Sequence, residues 1–247
     1  MSHDDRAEFE EERRAWAGRM AADPPTVAAA DALYAKADAH NWPYQWDWLG
    51  LPVIQTPPDI VAVQEIIWST RPDLVIETGV ARGGSVALSA SILELLGNGE
   101  VLGIDIDIRA HNRAAIEAHP LAKRIRLIDG SSLSEEVLQT VRERAAAAER
   151  VMVMLDSDHS HDHVLAELRA YSPLVTVGSF LVVADTVVEE SPPPAHRARP
   201  WGPGNSPRSA MHAWLQEGGD QSFEPDEFLN AKLLVSSSRG GYLRRVR

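Results

Sequence analysis

The sequence predicts an α/β fold: a mostly parallel, doubly wound sheet with helices on both faces, closed by a C-terminal antiparallel hairpin. Three observations carry that prediction. Five short apolar runs alternate with stretches of helical spacing. Four of the runs end in an aspartate, and the first ends in Glu77 at the turn itself. The first, Leu74-Val75-Ile76-Glu77, passes through the turn Thr78-Gly79-Val80-Ala81-Arg82-Gly83-Gly84-Ser85 directly into a helix-forming Val86-Ala87-Leu88-Ser89-Ala90. A buried strand feeding a helix through a glycine-rich turn is the ligand-binding corner of this fold class.

Taken in order, residues 4–20 are rich in Glu and Arg, acids leading and bases trailing, as a solvated helix prefers for its dipole. Such a helix is either a docking arm or a frayed surface element. Asp23-Pro24-Pro25 starts a second helix, with Asp23 as N-cap and Val27, Ala30, Leu33, Tyr34 and Ala37 facing the body of the protein. Residues 41–55 hold three of the seven Trp and fit neither period, so they either plug a sheet edge or line a pocket. Thr56-Pro57-Pro58-Asp59 opens a helix with the apolar face Ile60, Val63, Ile66 and Ile67, stopped by Pro72. The chain divides on this reading into a helical, Trp-rich appendage over 1–55 and a main domain over 56–247.

Further strands are expected at 101–107, 125–129, 151–156 and 179–185, with helices over 86–96, 110–118, from Ser134 to about 150, and through Val164, Leu165, Leu168 and Tyr171. Residues 189–208 are dominated by Pro, Arg and Gly, and a loop that long inside a compact domain is usually functional. It follows the fifth strand and is placed to act as a lid. A helix over 209–216 comes next. The closing hairpin is read as Leu233-Leu234-Val235 against Tyr242-Leu243 across Ser238-Arg239-Gly240-Gly241.

Composition narrows the function. A net charge of −12 disfavours a protein that neutralises phosphates on nucleic acid or an anionic membrane. With no cysteine there are no disulfides, thiolate zinc sites or cysteine nucleophile. No stretch has the length and apolarity of a membrane span, and the N-terminus is acidic, so a cytoplasmic protein is expected.

The chemistry concentrates at the strand ends, where ligands bind in open α/β sheets. The glycine turn reads E-x-G-x-x-x-G-x-S, not the dinucleotide G-x-G-x-x-G, which disfavours an NAD-linked oxidoreductase. It resembles motif I of the S-adenosylmethionine (SAM)-dependent methyltransferases, where this loop wraps the methionine part of the cofactor. That resemblance implies cofactor contacts from Glu77, Thr78, Gly79, Arg82, Gly83 and Ser85. Asp105 ends the second strand, where nucleotide-binding folds place an acid on the ribose hydroxyls; Asp107 competes for the role. Asp129, Ser131 and Ser132 close the third strand where adenine would lie.

Asp156-Ser157-Asp158-His159-Ser160-His161-Asp162-His163 is the densest chemical stretch. Asp156 and Asp185 end the fourth and fifth strands and become neighbours if those strands pair. Two carboxylates suit a hard cation such as Mg²⁺, while the nearby His residues would admit zinc or iron. Asp156 also borders the cofactor loop. The His-x-Asp pair of an iron facial triad is missing from this stretch. His161 and His163 are expected on a solvated helix start, and His159 in the site, as a general base with Asp158 as the substitute; histidine titrates near neutrality, which suits that task.

Together, Glu77-Thr78-Gly79-x-x-x-Gly83-Gly84-Ser85, Asp156-x-x-His159, Ala184-Asp185-Thr186, Trp48-Leu49-Gly50-x-Pro52, Gln55-x-Pro57-x-Asp59, Arg199-Pro200-Trp201-Gly202-x-Gly204-Asn205 and Gly240-Gly241-Tyr242-Leu243 resemble the cephalosporin hydroxylase (CmcI-like) family. The resemblance runs from about Trp46 to the C-terminus. It implies a Rossmann-like class I SAM methyltransferase fold, in a family that includes rhamnosyl O-methyltransferases of natural-product pathways. The implied activity is SAM- and Mg²⁺-dependent O-methylation of a sugar hydroxyl on a small glycosylated acceptor, with Trp201 and Asn205 on the substrate, by a homo-oligomer. Where the hydroxylase-named member closes its fifth strand with Glu-Asp, this chain has Ala184-Asp185, with Thr186 as a further candidate ligand. A hydroxylase or hydroxylase partner, and a non-catalytic SAM-binding subunit, are the alternative readings.

Overall fold

The computed structural model describes residues 4–190 and 199–247. Two helices come first, α1 (Arg6–Ala21) and α2 (Pro24–Asp38). Pro24 and Pro25 stand where a helix has no N–H to lose, and the Asp23 carboxylate caps α2 by accepting the Thr26 N–H at 3.2 Å. Tyr34 is buried as expected, whereas Leu33 faces solvent. Helix α1 is docked rather than frayed: Ala17 is buried and the Arg14 guanidinium lies 4.7 Å from the Phe228 ring centroid.

The tryptophan-rich stretch forms an antiparallel hairpin, β1 (Trp46–Trp48) and β2 (Leu51–Val53). Leu49 and Gly50 at its turn take φ of 49° and 89°, the left-handed pair a two-residue hairpin requires. The hairpin packs on the helix over 84–96, with Trp48 Nε1 donating to Ser91 Oγ at 3.0 Å. Leu51 and Val53 share one core with Ile60, Val63 and Leu88, so the boundary drawn at residue 55 falls inside a contiguous apolar cluster.

From there the elements alternate: α3 (Pro57–Thr70), β3 (Leu74–Thr78), α4 (Gly84–Leu96), β4 (Glu100–Asp105), α5 (Ala110–Glu117), β5 (Ile125–Asp129), α6 (Glu135–Ala146), β6 (Val151–Leu155), α7 (His161–Tyr171) and β7 (Phe180–Val183). Then follow α8 (Pro207–Gln216), β8 (Phe223–Pro225), α9 (Glu227–Lys232) and β9 (Tyr242–Arg245). The main sheet runs β5-β4-β3-β6-β7-β9-β8; the first five strands are parallel and β9 is antiparallel to both neighbours. The sheet is apolar on both faces, so alternate residues feed two cores. Val75, Met152 and Met154 face α3 and α4, while Ile76, Val153 and Leu155 face α6 and α7. Doubly buried strands read as continuous apolar runs for this reason.

The antiparallel close is present, but its members differ from the sequence reading. Strand β9 pairs with Phe223–Pro225, not with residues 233–235. Asp226 caps α9 through the Leu229 N–H at 2.9 Å, and the serines beyond the helix wrap a buried carboxylate instead of extending. Asp59 is 2% exposed and accepts from Thr56 Oγ1 at 2.6 Å, the Ser237 N–H at 2.8 Å and the Tyr242 hydroxyl at 2.8 Å, with Ser236 Oγ beside them. A buried charge is tolerable only with such partners. The strands also stop short: β4 ends at Asp105, and Asp185 lies past β7 with φ 51°.

The order reverses at β3, with β4 on one side and β6 on the other. A crevice therefore opens at the carboxyl ends of β3 and β6.

Candidate active site

Strand β3 delivers Glu77 and Thr78 beneath the glycine turn, both fully buried and outside the lining of the cavity above it. The Ser85 hydroxyl donates to Glu77 Oε1, and Oε2 has no partner among the described residues. Glu77 thus braces the turn from below. Burial pushes its carboxyl up from 4.5 to about 7, opposed by the Ser85 bond. The folded protein keeps that proton to about pH 7, while the unfolded chain releases it near 4.5. The unfolded state then binds fewer protons across this interval, so stability is lost as pH rises, by about 3 kcal/mol between pH 4.5 and 8. Glu77→Gln should remove that decline. Denaturation midpoints measured across the interval check it, and parallel pH slopes in the two proteins would contradict it.

Gly79 has φ 91°, and a Cβ there would overlap the Asp156 carbonyl oxygen, so this glycine lets the ends of β3 and β6 meet. Gly83 has φ 90°, but a Cβ would strike Ile116 Cγ1 at 2.5 Å. Its smallness is required by the packing of α5 against the turn. Gly84, to which the sequence assigned no separate role, is where the Pro52 carbonyl of β2 rests on the first turn of α4.

Above the turn lies a cavity of about 500 Å³. Its lining includes Gly79, Arg82 and Ser85 of the glycine turn, Asp105 and Ile106 at the end of β4, Ser131 and Ser132 beyond β5, and Asp156, His159, Asp185 and Trp201. Asp105 Oδ2 accepts the Val80 and Ala81 N–H groups at 2.9 and 3.0 Å, and Oδ1 accepts the Asp107 N–H at 3.0 Å. The carboxylate both lines the cavity and fixes the turn. Asp107 and Asp129 are outside the lining: Asp107 is exposed, and Asp129 forms an ion pair with Arg113 on the surface.

Asp156, His159 and Asp185 each offer an atom within 4.8 Å of the others. His159 Nε2 lies 3.2 Å from Asp185 Oδ2, and the edge of Trp201 packs on the imidazole with centroids 5.2 Å apart. Asp156 is held well above the ordinary carboxylate range by burial and by the negative charges of Asp185, Glu77, Glu167 and Asp59. A divalent cation would relieve that repulsion, and the Asp156 and Asp185 carboxylates are the hard oxygen donors that Mg²⁺ takes together with water. Asp185 in the left-handed region is the kind of backbone outlier found at functional sites.

Other expected residues are placed elsewhere. Thr186 is buried and donates to the Arg239 carbonyl at 2.7 Å, outside the cluster, because the chain turns away after Asp185. Asp158 accepts the Ser160 N–H at 2.8 Å; although partial burial raises its pKa, the Ser160 bonds and nearby His163 and His159 hold it below the ordinary value. That acidity makes it a poor base. Asn205 does not line the cavity: its Oδ1 accepts the His161 N–H at 2.8 Å and its Nδ2 donates to the Pro200 carbonyl at 3.0 Å. It ties the loop to α7.

Two histidines are not solvated as expected. His161 Nδ1 meets Ser209 Oγ at 2.8 Å, pinning α7 to α8. His163 lines the cavity, with Nε2 3.1 Å from Ser157 Oγ, 3.3 Å from Ser132 Oγ and 3.4 Å from the buried Glu167 carboxylate. The bond to Glu167 raises the His163 pKa against partial burial. The signal was the four-residue spacing of His163 and Glu167 on one helix. Of the proposed lid, residues 191–198 lie outside the described residues. Its described end is anchored where Glu189 accepts the Gly204 N–H at 3.0 Å.

Residues 40–246 match the family described as Rhamnosyl O-methyltransferase/CmcI. The chain belongs to this family. It is thereby an enzyme of the SAM-dependent O-methyltransferase class. A rhamnosyl O-methyltransferase of Mycobacterium bovis (strain BCG / Pasteur 1173P2) is 29% identical over 234 residues, covering 88% of this chain and 89% of the relative. One of Mycobacterium leprae (strain TN) is 31% identical over 161 residues, 62% of this chain and 68% of its own length. Among solved structures, the Mg-SAM form of CmcI aligns with a TM-score of 0.58 at 20% identity, covering 83% of this chain and 78% of that one. An O-methyltransferase from Bacillus cereus in complex with SAH aligns at 0.50 and 15% identity, covering 82% of each chain. Members of the Rhamnosyl O-methyltransferase/CmcI family and this chain thus share the class I methyltransferase fold. Among the described residues, no helix is long and apolar enough to cross a membrane.

Proposed function

We propose that the chain methylates a hydroxyl of a rhamnosyl-type sugar on a small glycosylated natural product, using SAM and a divalent cation, Mg²⁺, as a cytoplasmic enzyme. The observation that carries this reading is the convergence of Asp156, His159 and Asp185 beside the cavity above the glycine turn. The names of the mycobacterial relatives support the sugar acceptor.

Methyl transfer is an in-line displacement, so acceptor oxygen, methyl carbon and sulfur must be aligned; positioning of this kind contributes about 7–11 kcal/mol. The glycine turn, Asp105, Ser131 and Ser132 line the volume for the cofactor. When bound, SAM supplies an electrophilic methyl group, and a cation held by Asp156 and Asp185 supplies positive charge that lowers the pKa of a nearby hydroxyl. His159 takes the hydroxyl proton on the imidazole nitrogen that does not face Asp185, because Nε2 carries the hydrogen of the neutral ring toward that carboxylate. Asp185, 3.2 Å away, stabilises the imidazolium that results. Trp201 limits rotation of the imidazole and shields it from water.

A hydroxylase reading has less support. The cluster offers two carboxylates and one imidazole, and the neighbouring His161 and His163 are engaged by Ser209 and Glu167. A non-catalytic subunit would have no use for a base held against a carboxylate. Incubation with SAM, Mg²⁺ and a panel of glycosides, read by mass spectrometry, should show one added methyl on the sugar of a rhamnoside. Methylation of the aglycone alone would overturn the acceptor assignment.

A further inference from the structure

Strand ends and the glycine turn supply most of the main cavity's wall, but Tyr44, Pro52, Ile54 and Gln55 reach it from the tryptophan-rich stretch. Gln55 stands apart among them. It is 7% exposed, its Oε1 is fully buried, and its side-chain amide has no hydrogen-bond partner among the described residues. Its neighbour Thr56, by contrast, is satisfied, its hydroxyl donating to Asp59 Oδ2 at 2.6 Å. Burying an amide without partners costs stability, so native structures rarely do it away from a functional site. An unpaired primary amide in a cavity wall offers both donors and an acceptor to a ligand.

The part of the ligand that Gln55 meets follows from where the chain is seated. Gly84, the first residue of α4, lies so close to β2 that a Cβ there would overlap the Pro52 carbonyl and the Val53 Cα. The chain leading into Gln55 therefore rests on the first turn of α4, and Gln55 lines the same cavity as Gly84 and Ser85. The N–H groups of that turn are uncapped by any side chain, because the N-cap is Gly83. Arg82 beside it is the one Arg or Lys among the described lining residues, which include four aspartates, Asp105, Asp156, Asp158 and Asp185. A ligand carboxylate is repelled by the aspartates and attracted to Arg82 and the start of α4. SAM carries one carboxylate, on its α-amino acid end, with an ammonium on the same carbon. Such a zwitterion needs donors for one group and an acceptor for the other, and the Gln55 amide has both.

Resting on SAM as the cofactor, and independent of which acceptor is methylated, we propose that Gln55 binds the α-amino acid end of SAM, its amide donating to the carboxylate and accepting from the ammonium. The full-length protein is titrated by calorimetry with S-adenosylhomocysteine (SAH), which keeps that end, and with 5′-methylthioadenosine, which lacks it. Gln55→Met keeps the length of the side chain and removes its polar groups. The variant should bind SAH about tenfold or more weakly, as loss of a hydrogen bond to a charged group would cause, and 5′-methylthioadenosine as tightly as the unaltered protein. Its melting temperature without ligand should be unchanged or higher, because an unpaired buried amide has been removed. Unchanged SAH affinity in Gln55→Met would overturn the assignment. Equal losses for the two ligands would overturn it as well, by placing the amide on the nucleoside. A lower melting temperature without ligand would make Gln55 a structural group and contradict the proposal. Failure of the unaltered protein to bind SAH at all would contradict SAM as the cofactor and remove this assignment with it.

Discussion

His159→Ala should lower kcat by about 10²–10⁴-fold while SAM affinity stays near normal, since a positioned general base contributes on that order. The imidazole works only when neutral, so the unaltered enzyme should lose rate on the acidic side of its pH–rate profile. That limb should vanish in the variant. SAM binding should be spared because His159, packed against Trp201, also lines an adjoining cavity of about 210 Å³ that Ser131 and Ser132 do not line. The variant should also retain its metal affinity, because Asp156 and Asp185 supply the charge that attracts a cation. Loss of metal binding in His159→Ala would make the imidazole a ligand. An unaltered pH profile would move the base to a carboxylate, and Asp158, held acidic by Ser160 and the nearby histidines, is poorly suited to that role.

The second large effect is expected at the two strand-end aspartates. Asp156→Asn and Asp185→Asn should each cut turnover by about 10²–10³-fold or more, the equivalent of several kcal/mol of charge stabilisation at the reacting oxygen. SAM affinity should change far less, because on the proposed mechanism these groups hold an ion that faces the acceptor rather than the cofactor. Asp156→Asn carries a second signature. Its carboxyl sits in a field of negative charge from Asp185, Glu77, Glu167 and Asp59, so removing it should leave thermal stability in a chelator unchanged or higher. Thermal melts of both variants with and without a chelator check this. A large drop in melting temperature for Asp156→Asn would mean that the side chain holds the fold rather than the ion.

Much of the parallel sheet was legible because its signal is local. Strands such as Val151–Leu155 are buried on both faces and therefore read as unbroken apolar runs. Caps at Asp23 and Ser134 were readable for the same reason, since each is set by residues within one turn. The C-terminal pairing was not. Ser236, Ser237 and Tyr242 serve a carboxylate at Asp59, and a contact across so much chain leaves no periodicity to read. Nor was it legible that Leu51 and Val53 belong to the main core, because a two-strand hairpin of three residues each is shorter than any window that detects alternation.

At the site, Asp156 and Asp185 could be placed together because adjacent parallel strands bring their ends together. Residues whose roles depend on where a side chain turns were harder. Thr186 follows Asp185 directly but faces the Arg239 carbonyl, and Asn205 sits in a recognisable motif but anchors the loop to α7. His163 was misread in the opposite direction: its polar neighbours suggested solvent, while its partner Glu167 is fully buried. Gly83 shows the same limit. Its positive φ suits a glycine turn, but the crowding a Cβ would meet comes from Ile116, which the turn itself does not announce.

Metal-assisted methyl transfer at the Asp156, His159 and Asp185 cluster is tested most directly by removing and restoring the metal. The purified enzyme, given SAM and a rhamnoside, is followed by mass spectrometry in Mg²⁺, in EDTA, and in EDTA followed by excess Mg²⁺. Transfer of one methyl to the sugar in Mg²⁺, its loss in EDTA with SAM still bound, and its return on adding Mg²⁺ are predicted. Full turnover in EDTA would contradict the central claim and leave the two aspartates without an ion to hold.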